Sequence, residues 1–456
     1  MFTTMGIRNF RAVAGIPSTN GTTRPLEIPL KPLTLFIGEN NSGKSSLLYP
    51  LVLMHYWGGQ NPSRISFSNM KFLNEILGQY PSYVYRKEKN EITFMIETNL
   101  SPDELNTILS ETMKFSEEQY KTLFTEGGNL LQYWLRFSNP ERPPRHQSFT
   151  DHSGKPLLSL ERIPPNEKEK WWPNIENQKP SFTDEWAVWP SLGSDIRNIG
   201  GVSDQSTFIN LFQSLITLFH NRLNQLYYIS ELRYNISPQK QIQASSRDVG
   251  IHGENVLDVM FFLRNSHIKS DRDSLNNIIK WADEFGLIDA LAHIGQVQDG
   301  KLSTFGQGID PTFNIGMDFS STGFGFQQVL PIIVQCNSSL PGGTVLIEEP
   351  EIHLHPRYQM KVMDLFADAV NRNRQIIATT HSEHTFIRLQ TLIANGILTP
   401  EQVGVYWVNK DQGGTHIKPV QIDSDGGIPG WLPTFGDVIN KEMIATDNAR
   451  NRNGKG

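Results

Sequence analysis

A glycine-rich loop between an apolar segment and a helical segment constrains this chain more than any other feature. Residues 38–46 read Gly-Glu-Asn-Asn-Ser-Gly-Lys-Ser-Ser and contain the phosphate-loop pattern G-x-x-x-x-G-K-S. That pattern is meaningful when a strand precedes it and a helix follows it. The apolar run at 33–37 predicts the strand, and residues 46–49 predict the start of the helix. The sequence therefore predicts a strand–loop–helix unit that binds a nucleoside triphosphate.

The residue types in this loop indicate how it would hold phosphate. Gly38 and Gly43 permit backbone angles that turn successive N–H groups inward, and the helix N-terminus adds partial positive charge. We expect Lys44 to reach the β- and γ-phosphates and the Ser45 hydroxyl to hold Mg²⁺. The other loop residues predicted to bind nucleotide are Asn40, Asn41, Ser42 and Ser46.

Length and composition narrow the class of protein. The chain has 456 residues, of which 38% are hydrophobic and 19% are charged, and its formal net charge is -6. It is long enough for two or three domains, or for one large α/β domain with an insertion. No stretch reaches the ~18 apolar residues of a membrane span, and the N-terminus lacks a signal peptide's features. We therefore expect a cytoplasmic protein without a membrane partner. The net charge does not suggest a surface that is basic throughout for nucleic-acid binding.

Changes in residue composition and pattern divide the chain into four predicted parts. Residues 1–100 predict the N-terminal part of a nucleotide-binding head. Residues 101–203 contain Pro-Pro breakers and many tryptophans, so we expect an insertion of mixed helical and irregular structure there. Residues 204–435 predict the C-terminal part of the head, and residues 436–456 a polar, partly disordered tail. The strands predicted in the first part are residues 5–10, 26–29, 33–37 and 91–97.

Helices and strands alternate through the second half of the chain. From residue 311 the predicted order is strand, helix, strand, helix, strand, helix, which argues for a parallel sheet with crossover helices. The fold class expected is therefore α/β, with a mixed β lobe beside that sheet. The other elements predicted after residue 204 are helices at 208–223, 255–263 and 274–294, and a strand at 226–230.

Two adjacent carboxylates follow the hydrophobic strand predicted at residues 344–347. At such a strand end, Glu348 can help to hold Mg²⁺, and Glu349 can orient and deprotonate the attacking water. An acidic surface loop is the alternative, but it does not explain the phosphate loop in the same chain. His381 follows the next predicted strand, 375–380, where it could sense the γ-phosphate by hydrogen bonding.

A segment of small and hydroxyl residues at 320–328 precedes a helix predicted from residue 329. Such residues at a helix N-terminus form a second anion-binding element, and its phosphate need not belong to the same chain. The alternative is an ordinary helix cap.

In this order, the motifs resemble the ABC-type ATPases of the SMC, RecF and OLD superfamily. The resemblance rests on the phosphate loop, the segment 320–328, Glu-Glu-Pro-Glu-Ile-His-Leu-His-Pro at 348–356 and Thr-Thr-His-Ser at 379–382. The chain is similar in particular to the single-chain AAA-family branch of bacterial anti-phage defence operons, such as the Septu-type ATPase. Segments 228–254 and 426–431 also look like that branch. The motif-bearing parts cover residues 1–60 and 225–435.

The resemblance implies a P-loop NTPase of the ABC or SMC-head type that forms a head-to-head homodimer or a larger even oligomer. ATP and Mg²⁺ would lie between the phosphate loop of one subunit and the signature segment of the other. It assigns phosphate and metal binding to Lys44 and Ser45, Mg²⁺ support to Glu348, the general base to Glu349 and the switch to His381. The trans-acting signature residues would be Ser321, Gly323 and Gly325. Gln327 departs from the small residue expected there, so we expect slow hydrolysis.

The leading functional hypothesis is an ATP-driven switch that closes a dimer and controls a separately encoded nuclease or toxin. Because 75 residues follow His381 (456 minus 381), a fused nuclease domain is not expected. One alternative is a DNA-binding repair ATPase of the RecF or SMC type, although the best basic cluster is the short run 86–89. Another is an assembly scaffold that binds ATP without hydrolysing it.

Overall fold

The structure is a computed structural model of the chain. The residues that it describes are 1–17, 23–58, 91–101, 103–104, 130–137, 146–151, 154, 156–163, 181–183, 186–192, 205–237, 240–241, 247–294 and 303–429. The tail predicted at 436–456 lies outside these residues, as do most of residues 102–124, where the sequence predicts helical pieces within the insertion.

Twenty strands and seven α-helices are formed by the described residues. The strands are β1 (Phe2–Arg8), β2 (Ile16–Pro17), β3 (Thr23–Arg24), β4 (Leu26–Pro29), β5 (Leu33–Ile37), β6 (Ile92–Asn99), β7 (Leu130–Phe137), β8 (His146–Asp151), β9 (Pro156–Ile163), β10 (Ser181–Thr183), β11 (Trp186–Leu192), β12 (Leu226–Ile229), β13 (Lys240–Gln241), β14 (Ile288–Ile294), β15 (Ser303–Asp310), β16 (Ile315–Asp318), β17 (Thr344–Glu348), β18 (Gln375–Thr380), β19 (Val403–Asp411) and β20 (Gly414–Val420). The α-helices are α1 (Lys44–Gly58), α2 (Gln205–Leu223), α3 (Val256–Asn265), α4 (Lys269–Glu284), α5 (Phe324–Ser338), α6 (Pro356–Asn371) and α7 (Glu383–Ala394), and 3₁₀ turns span Phe319–Ser321 and Pro400–Gln402. None of these helices is both long and apolar enough to cross a lipid bilayer.

A six-stranded sheet in the order β12-β17-β18-β5-β19-β20 carries the predicted motifs. Its first five strands are parallel, and β20 runs antiparallel to β19. The buried strand β5 is paired on both sides, because Leu33 lies opposite Ile376 of β18 and opposite Val403 of β19. The predicted α/β fold with a parallel sheet and crossover helices is confirmed. The residues that follow β12, β17, β18 and β5 therefore all lie at one edge of the sheet.

An eight-stranded antiparallel sheet in the order β10-β11-β9-β8-β7-β6-β1-β4 lies beside this layer. Five of its strands come from residues 130–192, where the sequence predicts mixed helical and irregular structure. That expectation is wrong for the described residues, which continue the sheet outward from β6. Strands β7 and β8 are largely buried, so their side chains do not alternate cleanly between apolar and polar. The boundaries of the four parts of the chain remain predictions.

The parallel sheet separates two hydrophobic cores. Successive residues of β5 face opposite ways, so Phe36 packs in the first core while Leu35 and Ile37 pack in the second. The first core also contains α1 and the antiparallel sheet, and the second contains α3 to α7. Each fully buried large apolar side chain stabilises the fold by about 1.5–3 kcal/mol. The phosphate loop therefore starts from a strand that is anchored on both faces.

Two predicted helices differ by five or more residues from their bounds in the structure. The helix predicted over residues 274–294 ends at Glu284, and β14 follows. Gly286, with a φ of +97°, lies between them, in a conformation that favours glycine and ends a helix readily. The helix predicted from residue 329 begins at Phe324, with Gly323 as its N-cap. Part of the predicted signature therefore forms the first turn of α5.

Candidate functional site

Four parallel strands converge on the edge of the sheet that holds the candidate site. β5 leads into the phosphate loop, β17 ends at Glu348, β18 leads to His381, and β12 leads to Ser230. α1 begins at Lys44, directly after the loop. The structure thus brings together the predicted nucleotide-binding, carboxylate and histidine residues. This is the edge where open α/β sheets bind their ligands.

The backbone of the phosphate loop is tightly packed. Gly43 has a φ of +99°, and a Cβ there would lie 2.3 Å from the Thr415 hydroxyl oxygen of β20. That hydroxyl donates a hydrogen bond to the carbonyl of Ser42 at 3.0 Å. A Cβ on Gly38 would lie 2.1 Å from the carbonyl oxygen of Val408 in β19. Glycine is therefore required at both positions, because β19 and β20 approach the loop closely.

Lys44 points back into its own loop. Its Nζ donates to the carbonyl oxygens of Gly38 at 2.9 Å and Glu39 at 2.8 Å, and the residue is 5% exposed. Burial lowers the pKa of Lys44, while the charges of Glu349 and Glu351 act in the opposite direction. Within the described part of the chain, the Lys44 ammonium is hydrogen-bonded only to carbonyl oxygens in its loop. A phosphate would give this buried ammonium a negatively charged partner.

The remaining loop residues are placed at different depths. Asn40 and Asn41 are exposed at the outer side of the loop, and Asn41 has a φ of +63°. Ser46 is buried, and its N–H donates to the carbonyl of Gly43 at 3.0 Å. The buried Ser42 hydroxyl has no hydrogen-bond partner among the described residues. An unpartnered buried hydroxyl is costly, which is consistent with a ligand-facing role for Ser42.

Glu348 lies in the interior of the site. It is 1% exposed, accepts a hydrogen bond of 2.6 Å from the Tyr228 hydroxyl, and is also hydrogen-bonded to Ser45. Burial raises the pKa of Glu348, and these hydrogen bonds act against that rise. The Ser45 hydroxyl and the Glu348 carboxylate are thus adjacent oxygen donors, the ligand type that Mg²⁺ prefers. The residues present fit the predicted metal, which Ser45 and Glu348 would hold.

Glu349 adopts an unusual backbone conformation. Its φ is +42°, in the left-handed region, which costs a non-glycine residue about 1–2 kcal/mol. Its N–H donates to the carbonyl of Thr379 at 3.1 Å, so β18 helps to impose this conformation. The turn places Glu349 Oε1 3.6 Å from His381 Nδ1. Strain of this kind is typical of functional sites, and here it accompanies the contact between the two residues predicted to be catalytic.

His381 lies between two carboxylates. Its Nδ1 is 3.6 Å from Glu349 Oε1 and also 3.6 Å from Glu351 Oε1. The contact with Glu349 raises the pKa of His381, and the same contact lowers the pKa of Glu349. Glu351 is buried, and it accepts hydrogen bonds from the Thr380 hydroxyl at 2.6 Å and from the His381 N–H at 2.8 Å. Glu351 therefore fixes the end of β18 on which His381 stands.

These shifts predict how His381 contributes to stability across pH. Because the pKa of His381 is raised, its contribution is full below the ordinary value of 6.5 and is lost as pH rises through the raised value. The pKa of Glu349 is lowered, so its contribution is present above 4.5 and is lost as pH falls through the lowered value. In thermal unfolding, His381→Gln should lower Tm by about 1–2 °C near pH 5.5, since a part-exposed pair stabilises weakly.

At high pH, above the raised value, the difference in Tm between His381→Gln and the parent should vanish. The matched control is the same substitution at a second histidine, His384→Gln in the first turn of α7. A difference between His381→Gln and the parent that grows as pH rises would contradict the assigned direction.

The predicted signature residues lie on a separate, exposed segment. Ser321 ends a 3₁₀ turn, and Gly323 caps α5. Both are exposed, and a Cβ on Gly323 would meet nothing within 4 Å. Gly325 is closer to its surroundings, since a Cβ there would lie 3.0 Å from the carbonyl oxygen of His353. None of the hydrogen bonds described for the signature residues reaches the phosphate loop of the same chain.

Gln327, the departure from the expected signature, has a structural role. Its buried amide donates to the carbonyls of Ser320 at 3.2 Å and Thr322 at 3.0 Å. Its oxygen accepts from the N–H of Ile236 at 3.2 Å. A small residue could not make these three bonds. Gln327 therefore holds the signature turn against the segment that follows β12.

Three further polar residues contact the site, although the sequence patterns assigned them no role there. Tyr228 hydrogen-bonds Glu348, Glu351 supports His381, and Arg233 donates to the carbonyls of Glu348 and Glu349 at 3.1 Å each. The available signal was position, because all three lie in the last residues of a strand or just after one, at the same sheet edge. Polar residues at that edge are candidates for a site even when a motif assigns them no role.

Three solved SMC-type head domains are similar to this structure at low sequence identity. Among curated proteins, no match is found. The structure is similar to an SMC head domain from Thermotoga maritima, at 9% identity and a TM-score of 0.39 over 92% of this chain and 99% of that chain. It is also similar to an Smc head bound to the C-winged helix domain of ScpA, at 12% identity and 0.46 over 92% and 98%. A third is an Smc head with an extended coiled coil bound to the C-terminal domain of ScpA derived from Pyrococcus furiosus, at 11% identity and 0.44 over 98% and 99%.

A family model gives the assignment. The model described as AAA ATPase domain matches residues 1–386, which include the phosphate loop, the signature segment, both carboxylates and His381. In the structure the phosphate loop follows β5, a strand inside the parallel sheet. Because the match spans most of its length, this chain belongs to the AAA ATPase domain family.

Proposed function

We propose that the protein is a cytoplasmic ATP-dependent switch that binds and hydrolyses ATP and closes as a head-to-head homodimer to control a separate effector protein. One observation carries the proposal: Lys44, Glu348, Glu349 and His381 meet at one sheet edge, while the signature residues lie exposed elsewhere. The first group supplies half of a nucleotide site. The second group is open to a second copy of the chain.

The side chains divide the work of phosphoryl transfer among them. Lys44 would leave its loop carbonyls for the β- and γ-phosphates, to which it would bring positive charge. Mg²⁺, held by Ser45 and Glu348, would neutralise charge that develops on the phosphates. Glu349, kept ionised by its contact with His381, would accept a proton from the attacking water.

His381 provides the switch in this proposal. With a raised pKa it can carry a proton, and its Nδ1 already faces Glu349 and Glu351. A protonated imidazole would bind the γ-phosphate more tightly than the products, which gives the closed state its dependence on ATP. Loss of the γ-phosphate would remove that contact and favour reopening.

The signature segment completes the site in trans. Ser321 and Gly323 are exposed at the N-terminus of α5, a 15-residue helix whose free N–H groups attract anions. In a two-fold dimer the same pair of surfaces occurs twice, so each closure forms two equivalent nucleotide sites. The motif resemblance supports an effector that is a nuclease or toxin of an anti-phage system, and this part of the proposal rests on that resemblance.

A complementation experiment tests the shared site. Lys44→Ala spoils the phosphate-loop half, and Gly323→Asp places a negative charge in the signature half, where φ is −57° and the space beyond Cα is open. Each variant alone should be inactive in a steady-state ATPase assay. In a 1:1 mixture half of the dimers are mixed and each has one intact site, so about a quarter of parental turnover should return.

The matched control mixes Lys44→Ala with Glu349→Gln. Both lesions lie in the same half of the site, so no mixed dimer has an intact site and no turnover should return. If the mixture with Gly323→Asp also stays inactive, or if Gly323→Asp alone keeps parental turnover, the shared site is refuted.

A further inference from the structure

Arg233 is a buried guanidinium with no assigned role. It lies four residues beyond the end of β12 and is 6% exposed. One terminal nitrogen donates to the carbonyls of Ser230 and Glu348, each at 3.1 Å, and the other donates to the carbonyl of Glu349 at 3.1 Å. Arg233 therefore holds two consecutive carbonyls at the point where β17 ends.

This arrangement differs from that of most buried arginines, which are paired with a carboxylate. The carboxylates of Glu349 and Glu351 interact with Arg233 electrostatically, while its hydrogen bonds go to main-chain oxygens. Burial lowers the pKa of Arg233 to about 10, so it remains charged at neutral pH. The rigid planar fork of a guanidinium can hold two carbonyls at a fixed separation, which a lysine ammonium cannot do.

One of the two held carbonyls belongs to Glu349, the residue with the strained backbone. Glu349 has a φ of +42°, and its N–H is bound to the carbonyl of Thr379. Arg233 binds the other end of the same residue, at its carbonyl. With both ends of its backbone held, Glu349 directs its side chain toward His381, whose Nδ1 lies 3.6 Å from Glu349 Oε1.

Arg233 is itself fixed from a second side. The Gln328 side-chain amide, in α5, donates to the carbonyl of Arg233 at 3.1 Å. The neighbouring Gln327 accepts from the N–H of Ile236, three residues further along the same segment. The helix that carries the signature therefore positions the segment that holds the carboxylates.

We propose that Arg233 is a positioning residue for ATP hydrolysis, which holds Glu349 in its left-handed conformation so that its carboxylate faces His381 and the reacting water. This inference rests on the proposed function, since it names the group that orients the general base. It assigns Arg233 no contact with ATP or with the metal.

The chain offers a closely matched control in Arg374. This arginine is also 6% exposed, and burial also lowers its pKa to about 10. It donates to the carbonyls of Ser339 at 2.9 Å, Arg372 at 3.1 Å and Asn337 at 3.3 Å. Because it precedes β18, it lies at the opposite edge of the parallel sheet from the candidate site.

The experiment compares Arg233→Lys with Arg374→Lys in the full-length chain. We expect Arg233→Lys to lower kcat for ATP by about 10–100-fold, because a lysine cannot hold both carbonyls. The Kd for ATP should stay within about threefold of the parent, since Arg233 does not contact the phosphates. Arg374→Lys should leave both values unchanged, and the two variants should have similar Tm values.

A second readout does not require turnover. In ¹⁵N-histidine spectra without nucleotide, Arg233→Lys should shift the His381 ring nitrogen signals, whereas Arg374→Lys should not. Equal effects of the two variants on kcat and on the spectra would overturn the inference while leaving ATP hydrolysis in place. A parent protein without ATP turnover would instead refute the proposed function, and the spectra would still decide whether Arg233 positions Glu349.

Discussion

Glu349→Gln is expected to lower kcat for ATP by about 10²–10⁴-fold, because an amide cannot take the proton of the attacking water. The substitution keeps the size of the side chain, so the left-handed backbone and the bond to Thr379 should persist. The Kd for ATP should not rise, since Glu349 is not expected to bind the phosphates. Steady-state and single-turnover assays with ATP-Mg²⁺ measure these quantities.

The same variant should accumulate in the closed state. If hydrolysis reopens the dimer, ATP-Mg²⁺ should double the mass of Glu349→Gln by light scattering, and ADP should not. Glu231→Gln is the matched control, because Glu231 is an exposed carboxylate whose charge also acts on Lys44. It should keep turnover within about threefold of the parent, since it is not the base. A Glu349→Gln protein whose mass is the same with and without ATP-Mg²⁺ would rule out the sandwich.

Lys44→Ala is expected to abolish measurable ATP binding. Charge-assisted hydrogen bonds to phosphate are among the strongest in proteins, so losing them should raise the Kd for ATP by about 10²-fold or more. The fold should survive, because removing a buried ammonium also removes the cost of its desolvation. Isothermal titration with ATP-Mg²⁺ measures the affinity, and circular dichroism with a thermal ramp checks the fold.

Lys361→Ala is the control for the Lys44 substitution. Lys361 lies on α6 and is paired with Glu284, so its removal should leave the affinity for ATP unchanged. Should Lys44→Ala bind ATP-Mg²⁺ within threefold of the parent, residues 38–46 would not be the phosphate site.

The parts of the fold that could be predicted from the sequence are those that a run of consecutive residues indicates by its own pattern. β5, the phosphate loop and the start of α1 form one such run, and β17 with Glu348 and Glu349 forms another. A short apolar run followed by glycines or carboxylates predicts a buried strand that ends at a ligand. The roles of the site residues remain predictions, although their meeting at one sheet edge is what those roles require.

What could not be predicted depends on contacts between distant residues. Strands β7 to β9 pair with one another, and β7 also pairs with β6. Burial on both faces hides the period of two in β7 and β8. Arg233 is 115 positions from Glu348, and nothing near it in the sequence shows that its donors meet the end of β17. The structural role of Gln327 could not be predicted from the motif, because one of its hydrogen-bond partners, Ile236, is 91 positions away. In each case the residue that explains the role is a neighbour in the folded structure and not in the sequence.

The position of β5 has a consequence for how the protein is made. Leu33 pairs with Ile376 and Val403, which are synthesised 343 and 370 residues later (376 minus 33 and 403 minus 33). A ribosome adding about 5–20 residues per second needs tens of seconds to supply both partners. Until then the phosphate loop has no flanking strands, and Thr415 of β20 is not there to brace it. The phosphate loop therefore reaches its packed geometry only after β20 has been synthesised, and a nascent chain that stops before β20 lacks the contact that braces Ser42.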